Sequence, residues 1–111
     1  MAAFPVGLAC FVKTPGRSPI KTRLQKSLPQ TDVIELYYAM IACLEEVLSN
    51  AETRLKGLKP YWAIAEKESL SHPLWENFPR LVQPEASLGL RMQSVYDQLL
   101  SKHEAAILIG S

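Results

Sequence analysis

Four basic side chains lie close together near the start of the sequence, directly after its first apolar run. They are Lys13, Arg17, Lys21 and Arg23, and no acidic residue lies between them. Such a cluster can neutralise a diphosphate, because each cation donates charge-assisted hydrogen bonds to phosphate oxygens. Gly16 lies within the cluster and allows the backbone to approach an anion closely. A solvated basic turn without a ligand is the alternative interpretation.

Two common nucleotide-binding motifs can be tested against this segment. Gly16 and the pair Lys21-Thr22 resemble the ends of a P-loop, G-x-x-x-x-G-K-[ST], but Lys21 occupies the position of the second glycine. Pro19 also lacks the backbone N–H that a P-loop needs inside its turn. The dinucleotide fingerprint G-x-G-x-x-G is absent as well. Both motifs are therefore excluded.

The elements around the basic segment follow from hydrophobic patterning. Residues 6–12 form a short, almost continuous apolar run, which predicts a strand buried on both faces of a parallel sheet. Pro15, Gly16 and Pro19 make the next segment irregular, with a short helical turn expected over residues 21–27. Further strands are predicted over residues 60–65, 80–83 and 105–111.

Two helices are predicted between these strands. Helical spacing of apolar residues favours one helix from Asp32, as N-cap, to a point between residues 49 and 56, and another over residues 88–102 with Ser87 as N-cap. Residues 68–77 are weakly helical. Alternation of strands and helices predicts an α/β fold, a Rossmann-like three-layer sandwich with a mostly parallel sheet. The basic loop would then lie at the carboxyl end of the first strand, a usual position for phosphate binding.

Composition limits the possible partners and the location of the protein. The 111 residues suit one domain, and a net charge of +1 gives no overall attraction to nucleic acid or to an anionic membrane. No apolar run approaches the ~18 residues of a membrane span. Residues 1–13 lack the basic start and the cleavage site of a signal peptide, so a cytoplasmic protein is predicted. Cys10 and Cys43 are expected to be buried, reduced thiols.

The remaining polar and aromatic residues carry no recognisable catalytic arrangement. His72 and His103 have no metal-ligand spacing and are expected to have structural or surface roles. Trp62 and Trp75 are expected to pack in the core. No Ser-His-Asp or Cys-His constellation is indicated, so no catalytic residue is assigned.

Three segments carry a resemblance to a known family. Residues 11–24, FVKTPGRSPIKTRL, resemble the opening signature of a bacterial family of proposed glycosyltransferases of the arsenosugar-biosynthesis or radical-SAM/selenodomain-associated type. Residues 88–92, LGLRM, and 107–111, ILIGS, are similar to two later elements of that family, in the same order. The family is similar to nucleotide-diphospho-sugar transferases of the glycosyltransferase A fold, whose N-terminal half this chain would represent.

The resemblance implies roles for particular residues. It places nine residues at the nucleotide-diphosphate site: Lys13, Gly16, Arg17, Lys21, Thr22, Arg23, Leu88, Gly89 and Arg91. Gly16 would permit the turn, Leu88 and Gly89 would set a loop that closes over the nucleotide, and Arg91 would contact or support the phosphates. The ligand would be a nucleotide-sugar with a divalent metal, Mg²⁺ or Mn²⁺. The family's metal-binding Asp follows its Gly-Ser pair, here Gly110-Ser111, so this metal ligand is expected beyond Ser111.

Three functions stay open from the sequence. The first is metal-assisted glycosyl transfer from a nucleotide-diphospho-sugar. The second is nucleotidyl transfer on the same fold, although the first loop of such enzymes is usually richer in glycine. The third is a non-catalytic module, because the single domain over residues 1–111 is expected to be incomplete at its C-terminus. Such a module would bind nucleotides or assemble, as a homodimer or with a complementing chain.

Overall fold

The four apolar runs of the sequence form the strands of one sheet. The computed structural model describes residues 5–111. The strands are β1 (Val6–Val12), β2 (Leu58–Ile64), β3 (Arg80–Val82) and β4 (Ala105–Gly110), and the helices are α1 (Gln30–Arg54) and α2 (Leu88–Leu100). Short 3-10 helices occupy Leu24–Lys26, Lys67–Ser69 and Pro73–Trp75. The expected turn near residues 21–27 and the weak helicity of 68–77 are these short helices.

The sheet is parallel throughout, in the order β3-β2-β1-β4. Val12 lies opposite Ile64, Ile64 lies opposite Val82, and Phe11 lies opposite Gly110. The segments that follow all four strands therefore leave the sheet at one edge, and this edge includes the basic loop. The predicted α/β fold with a mostly parallel sheet is confirmed.

Each face of the sheet is covered by one helix. Because strand side chains alternate between faces, Cys10, Val12, Trp62 and Ile64 pack with Tyr37, Ile41 and Leu48 of α1 in one core cluster. Ala9, Tyr61, Ala63 and Leu81 pack with Val95 and Leu99 of α2 in the other. Burial of each large apolar side chain contributes about 1.5–3 kcal/mol. Three layers result, with the sheet in the middle.

The start of α1 differs from its prediction. The helix begins at Gln30, its N-cap is Pro29, and no side chain caps it. Asp32 lies in the first turn instead, where a negative charge still favours the helix dipole. The prediction of Asp32 as N-cap was therefore wrong. Ser87 does cap α2, and its side-chain oxygen accepts a hydrogen bond from the Leu90 N–H at 3.4 Å.

The two cysteines have different environments. Cys10 is fully buried in β1, and burial raises the pKa of its thiol to about 12. Cys43 is exposed, so the prediction that it is buried was wrong. α1 buries one narrow side, and Val47, one of the apolar residues at helical spacing, is also exposed. The apolar side of the helix is thus wider than its contact with the sheet.

Aromatic residues fill the interior as expected. Trp62 and Trp75 are fully buried, and their ring centroids lie 5.1 Å apart in an edge-to-face arrangement. His103 is also buried, and its Nε2 atom lies 2.7 Å from the Tyr61 hydroxyl. The expected core packing of both tryptophans is confirmed, and His103 belongs to the structural set rather than to the surface.

Membrane insertion can be judged for the described part of the chain. Neither α1 nor any other helix within residues 5–111 combines the length and the hydropathy that crossing a bilayer requires. The first four residues of the N-terminal segment that was tested as a signal peptide lie outside the described residues.

Gly7 of β1 offers a test of this packing. A Cβ atom there would lie 2.5 Å from His103 Cδ2 and 3.0 Å from Leu99 Cδ2. The His103 ring cannot easily yield, because it is held by Tyr61. We expect Gly7→Ala to lower the free energy of unfolding by about 1–3 kcal/mol in urea denaturation. Gly89→Ala is the matched control: a Cβ there meets nothing within 4 Å, and stability should be unchanged or higher. Equal stability of Gly7→Ala and the parent would contradict this packing.

Candidate functional site

A cavity opens at the carboxyl edge of the sheet, between the basic loop and the start of α2. Its volume is about 500 Å³, and we call it the β4-side cavity. Its walls come from the end of β1, the basic loop, α1, the segment after β3, α2 and the end of β4. They are Phe11, Val12, Lys13, Ile20, Lys21, Tyr37, Gln83, Ala86, Leu88, Arg91, Gly110 and Ser111.

A second cavity adjoins the first, on the side of β2 and β3. Its volume is about 680 Å³, and we call it the β3-side cavity. Both cavities are lined by Lys13, Gln83 and Arg91. The β3-side cavity also contains Arg17, from the basic loop, and Glu66, from the end of β2. The two cavities thus share a polar wall across the sheet edge.

The first part of the basic loop is anchored in the core. Thr14 is fully buried, and its N–H donates to both carboxylate oxygens of Glu66 at 3.1 Å. The Ser18 hydroxyl donates to Glu66 as well. The Thr14 hydroxyl oxygen accepts a hydrogen bond from Trp75 Nε1 at 2.9 Å. These contacts fix the loop backbone while Lys13 and Arg17 stay exposed.

Tyr37 holds the loop from the side of α1. Its hydroxyl accepts a hydrogen bond from the Lys13 N–H at 3.0 Å and donates one to the Lys13 carbonyl oxygen at 2.9 Å. Burial raises the pKa of the Tyr37 hydroxyl above its ordinary value, and the backbone hydrogen bond of Lys13 opposes that rise. Both polar groups of the Lys13 backbone are therefore satisfied by one side chain.

The middle of the loop turns through two left-handed residues. Gly16 has a φ of 86°, and Lys21 has a φ of 47°. The first value is the conformation that only glycine adopts at little cost, as the prediction of a turn at Gly16 requires. The second is uncommon for a residue with a Cβ. In this conformation Lys21 Nζ donates to the Ser111 carbonyl oxygen at 2.8 Å, so the loop reaches the end of β4.

Arg91 is fixed at the opposite wall. Its Nε donates to the Ala86 carbonyl oxygen at 2.8 Å, and its Nη1 donates to Gln83 Oε1 at 3.4 Å. Gln83 is itself buried, and its Nε2 donates to the Ala63 carbonyl oxygen at 2.9 Å. The guanidinium group is thereby oriented by the sheet edge, in the first turn of α2.

The structure brings together part of the residue set expected from the sequence. Lys13, Lys21, Leu88 and Arg91 line the β4-side cavity, and Arg17 lines the β3-side cavity. Four others line neither cavity: Gly16, Thr22, Arg23 and Gly89. All four are exposed. The basic cluster therefore divides into cations at the cavities and a more distant Arg23.

Glu66, Gln83 and Tyr37 are site residues that the sequence reasoning missed. A signal was present for two of them. Glu66 follows the second strand and Gln83 follows the third, and polar residues directly after buried parallel strands must lie at the same edge as the basic loop. Tyr37 offered no such signal, because it reads as one more apolar position of α1.

A metal site can be sought among the same residues. Within residues 5–111, no three His, Cys, Asp or Glu side chains are grouped so that they could hold a metal ion. The binding of Mg²⁺ or Mn²⁺ stays a prediction.

Comparison with known proteins bears on the fold. Neither a protein-family model nor a curated protein sequence matches the chain. A crystal structure does match, that of a proposed nucleotide-diphospho-sugar transferase from Desulfovibrio desulfuricans G20, with a TM-score of 0.73 and 21% identity. The match covers 97% of this chain and 47% of that protein. The two share a fold. The chain spans about half the length of the protein that it matches.

The Tyr37 hydroxyl gives a testable link between loop and helix. Tyr37→Phe leaves the Lys13 N–H and C=O without their partner, so we expect the free energy of unfolding at pH 7 to fall by about 1–3 kcal/mol. The folded state raises the pKa of Tyr37 above the ordinary 10.0. Its contribution is therefore complete below about pH 10 and is lost as the pH rises toward the folded pKa.

Urea denaturation of both proteins between pH 7 and pH 11 measures this effect. The difference in stability between the parent and Tyr37→Phe should shrink above pH 10. Tyr61, whose pKa is also raised by burial, is present in both proteins and cancels in the comparison. A difference that stays constant over the whole range would rule out the proposed role of the Tyr37 hydroxyl.

Proposed function

We propose that the chain binds a nucleotide-diphospho-sugar at the carboxyl edge of its sheet, as part of a glycosyltransferase of the nucleotide-diphospho-sugar transferase superfamily. One observation carries the proposal. Lys13 and Lys21 from the basic loop and Arg91 from α2 converge on a single cavity. The shared fold with a proposed nucleotide-diphospho-sugar transferase supports the same interpretation.

The charge at this edge favours an anionic ligand. In the described part of the chain, the ion pair with a nitrogen–oxygen distance within 4.0 Å is Lys59–Glu52. Lys59 lies on β2 and Glu52 near the end of α1. Lys13, Lys21 and Arg91 are therefore free of carboxylate partners at that distance. Cations without such partners can each donate charge-assisted hydrogen bonds to phosphate oxygens. A diphosphate carries enough oxygens to use all three.

The apolar part of the cavity suits the rest of the ligand. Phe11, Ile20 and Leu88 line the β4-side cavity beside the cations. Small-molecule sites combine apolar walls with a few polar groups in about 300–1,000 Å³. The cavity of about 500 Å³ lies in that range. A nucleoside or sugar ring can pack on these walls while the diphosphate meets the cations.

Glycosyl transfer fits the loop better than nucleotidyl transfer does. The basic loop from Lys13 to Arg23 contains one glycine, Gly16, and bulkier residues at the other turn positions. The resemblance associates a glycine-richer first loop with nucleotidyl transfer. The proposal assigns the neutralisation of the diphosphate to Lys13, Lys21 and Arg91, and the divalent metal that the resemblance implies would assist the transfer.

Titration of the parent protein with UDP, GDP and CDP, followed by calorimetry, tests the proposal. We expect one of these nucleotides to bind, and Lys13→Ala and Arg91→Ala each to weaken its binding about five- to twentyfold. That factor corresponds to the loss of one charge-assisted hydrogen bond, about 1–2 kcal/mol after discounting for exposure. Lys21→Ala should act in the same direction.

Two further cations serve as controls for net charge. Lys26 is exposed at the end of a 3-10 helix and lines neither cavity, so Lys26→Ala should leave binding unchanged. Arg23→Ala should weaken binding less than twofold, because Arg23 is exposed outside both cavities. Failure of the parent to bind any nucleoside diphosphate, or equal binding by Lys13→Ala, Arg91→Ala and the parent, would refute the proposal.

A further inference from the structure

The fold buries one acidic residue among those that the structure describes. Glu66 is 7% exposed, although it lies just after the end of β2 at the open edge of the sheet. A buried carboxylate is costly unless it is well hydrogen-bonded or paired. No basic side chain in the described chain lies within 4.0 Å of it. Hydrogen bonds from the basic loop offset the cost of burying this carboxylate instead.

The loop is tied to Glu66 at two points. The Thr14 N–H donates to both carboxylate oxygens at 3.1 Å, and the Ser18 hydroxyl donates to one of them. Between these points the turn is closed by the N–H groups of Arg17 and Ser18, which donate to the Thr14 carbonyl oxygen at 3.0 and 3.2 Å. The segment that carries Gly16 and Arg17 is therefore held at both ends by one side chain.

We propose that Glu66 is a positioning residue for the diphosphate site and acts through Thr14 and Ser18. Its carboxylate holds the loop in the turn that presents Lys13 to the β4-side cavity and Arg17 to the adjoining β3-side cavity. The inference rests on the proposed function, since it concerns the same site. Lys13 directly precedes Thr14, so a displaced Thr14 would move it away from the cavity wall that it shares with Arg91.

Glu66 also has an electrostatic effect of opposite sign. As an anion at the β3-side cavity it repels a phosphate, so loss of its charge alone would strengthen binding. Glu68 separates the two effects. It lines the same cavity, but it is exposed, on the 3-10 helix after Glu66. Glu66→Gln and Glu68→Gln each remove one negative charge from this cavity, and Glu66→Gln alone disturbs the anchor of the loop.

The experiment is a calorimetric titration with inorganic pyrophosphate at fixed ionic strength. Glu66→Gln should bind about tenfold more weakly than the parent, because its side-chain NH₂ replaces one of the acceptors of the Thr14 N–H. Glu68→Gln should bind equally or slightly more tightly. If Glu66→Gln binds as tightly as the parent or more tightly, Glu66 does not position the cations and the proposal is wrong.

Amide hydrogen exchange without ligand distinguishes positioning from general stability. In Glu66→Gln the amide of Thr14 should exchange faster, while those of Cys10 and Trp62, which lie opposite each other in β1 and β2, keep their protection. Faster exchange throughout both strands would show a merely structural role and overturn the proposal. This experiment also stands apart from the proposed function. If the parent binds neither pyrophosphate nor a nucleoside diphosphate, the proposed function fails, whereas the exchange at Thr14 still decides whether Glu66 anchors the loop.

Ser18→Ala covers the case in which Glu66→Gln does not fold. It removes the second tie to Glu66 and leaves every charge in place. We expect about threefold weaker pyrophosphate binding and faster amide exchange at residues 16–18. Unchanged binding together with unchanged exchange would count against the anchor.

Discussion

The parallel register of β1 with its two neighbours is the constraint on which the site depends. Phe11 lies opposite both Ala63 and Gly110, so the strands end side by side. An antiparallel neighbour would have placed its following segment at the opposite edge. Parallel pairing instead brings the basic loop, Glu66, Gln83 and the end of β4 to one place. The position of the cavities therefore depends more on the direction of the strands than on any single side chain.

Much of this architecture could be predicted from the sequence, because burial determines it. β1 matches its predicted bounds of residues 6–12, and the α2 cap at Ser87 is confirmed. The exposed Cys43 was missed because its apolar neighbours in sequence do not show which side of α1 it occupies, and the area that the sheet covers is decided by tertiary packing. The start of α1 was missed for a local reason, since Pro29 begins the helix without a side-chain cap.

The candidate site could be predicted only in part. The loop position follows from its place after the first strand, but the direction of each cation depends on backbone conformation. Lys21 reaches the end of β4 because its φ is 47°. No local sequence pattern predicts this backbone conformation. Arg23, two residues later, lies outside both cavities. The sequence therefore predicts where the positive charge lies, whereas only the structure shows which cations line the same cavity.

The anchoring of the loop bears on how tightly such a site can bind. Ordering a loop costs free energy, and when ordering occurs on binding this cost is subtracted from the affinity. Here Tyr37 and Glu66 fix the loop backbone from opposite sides through Lys13 and Thr14. The backbone is thus ordered on folding, and an arriving ligand must order only the side chains of the exposed cations. A short chain with a net charge of +1 can in this way concentrate positive charge at one edge without relying on an overall field.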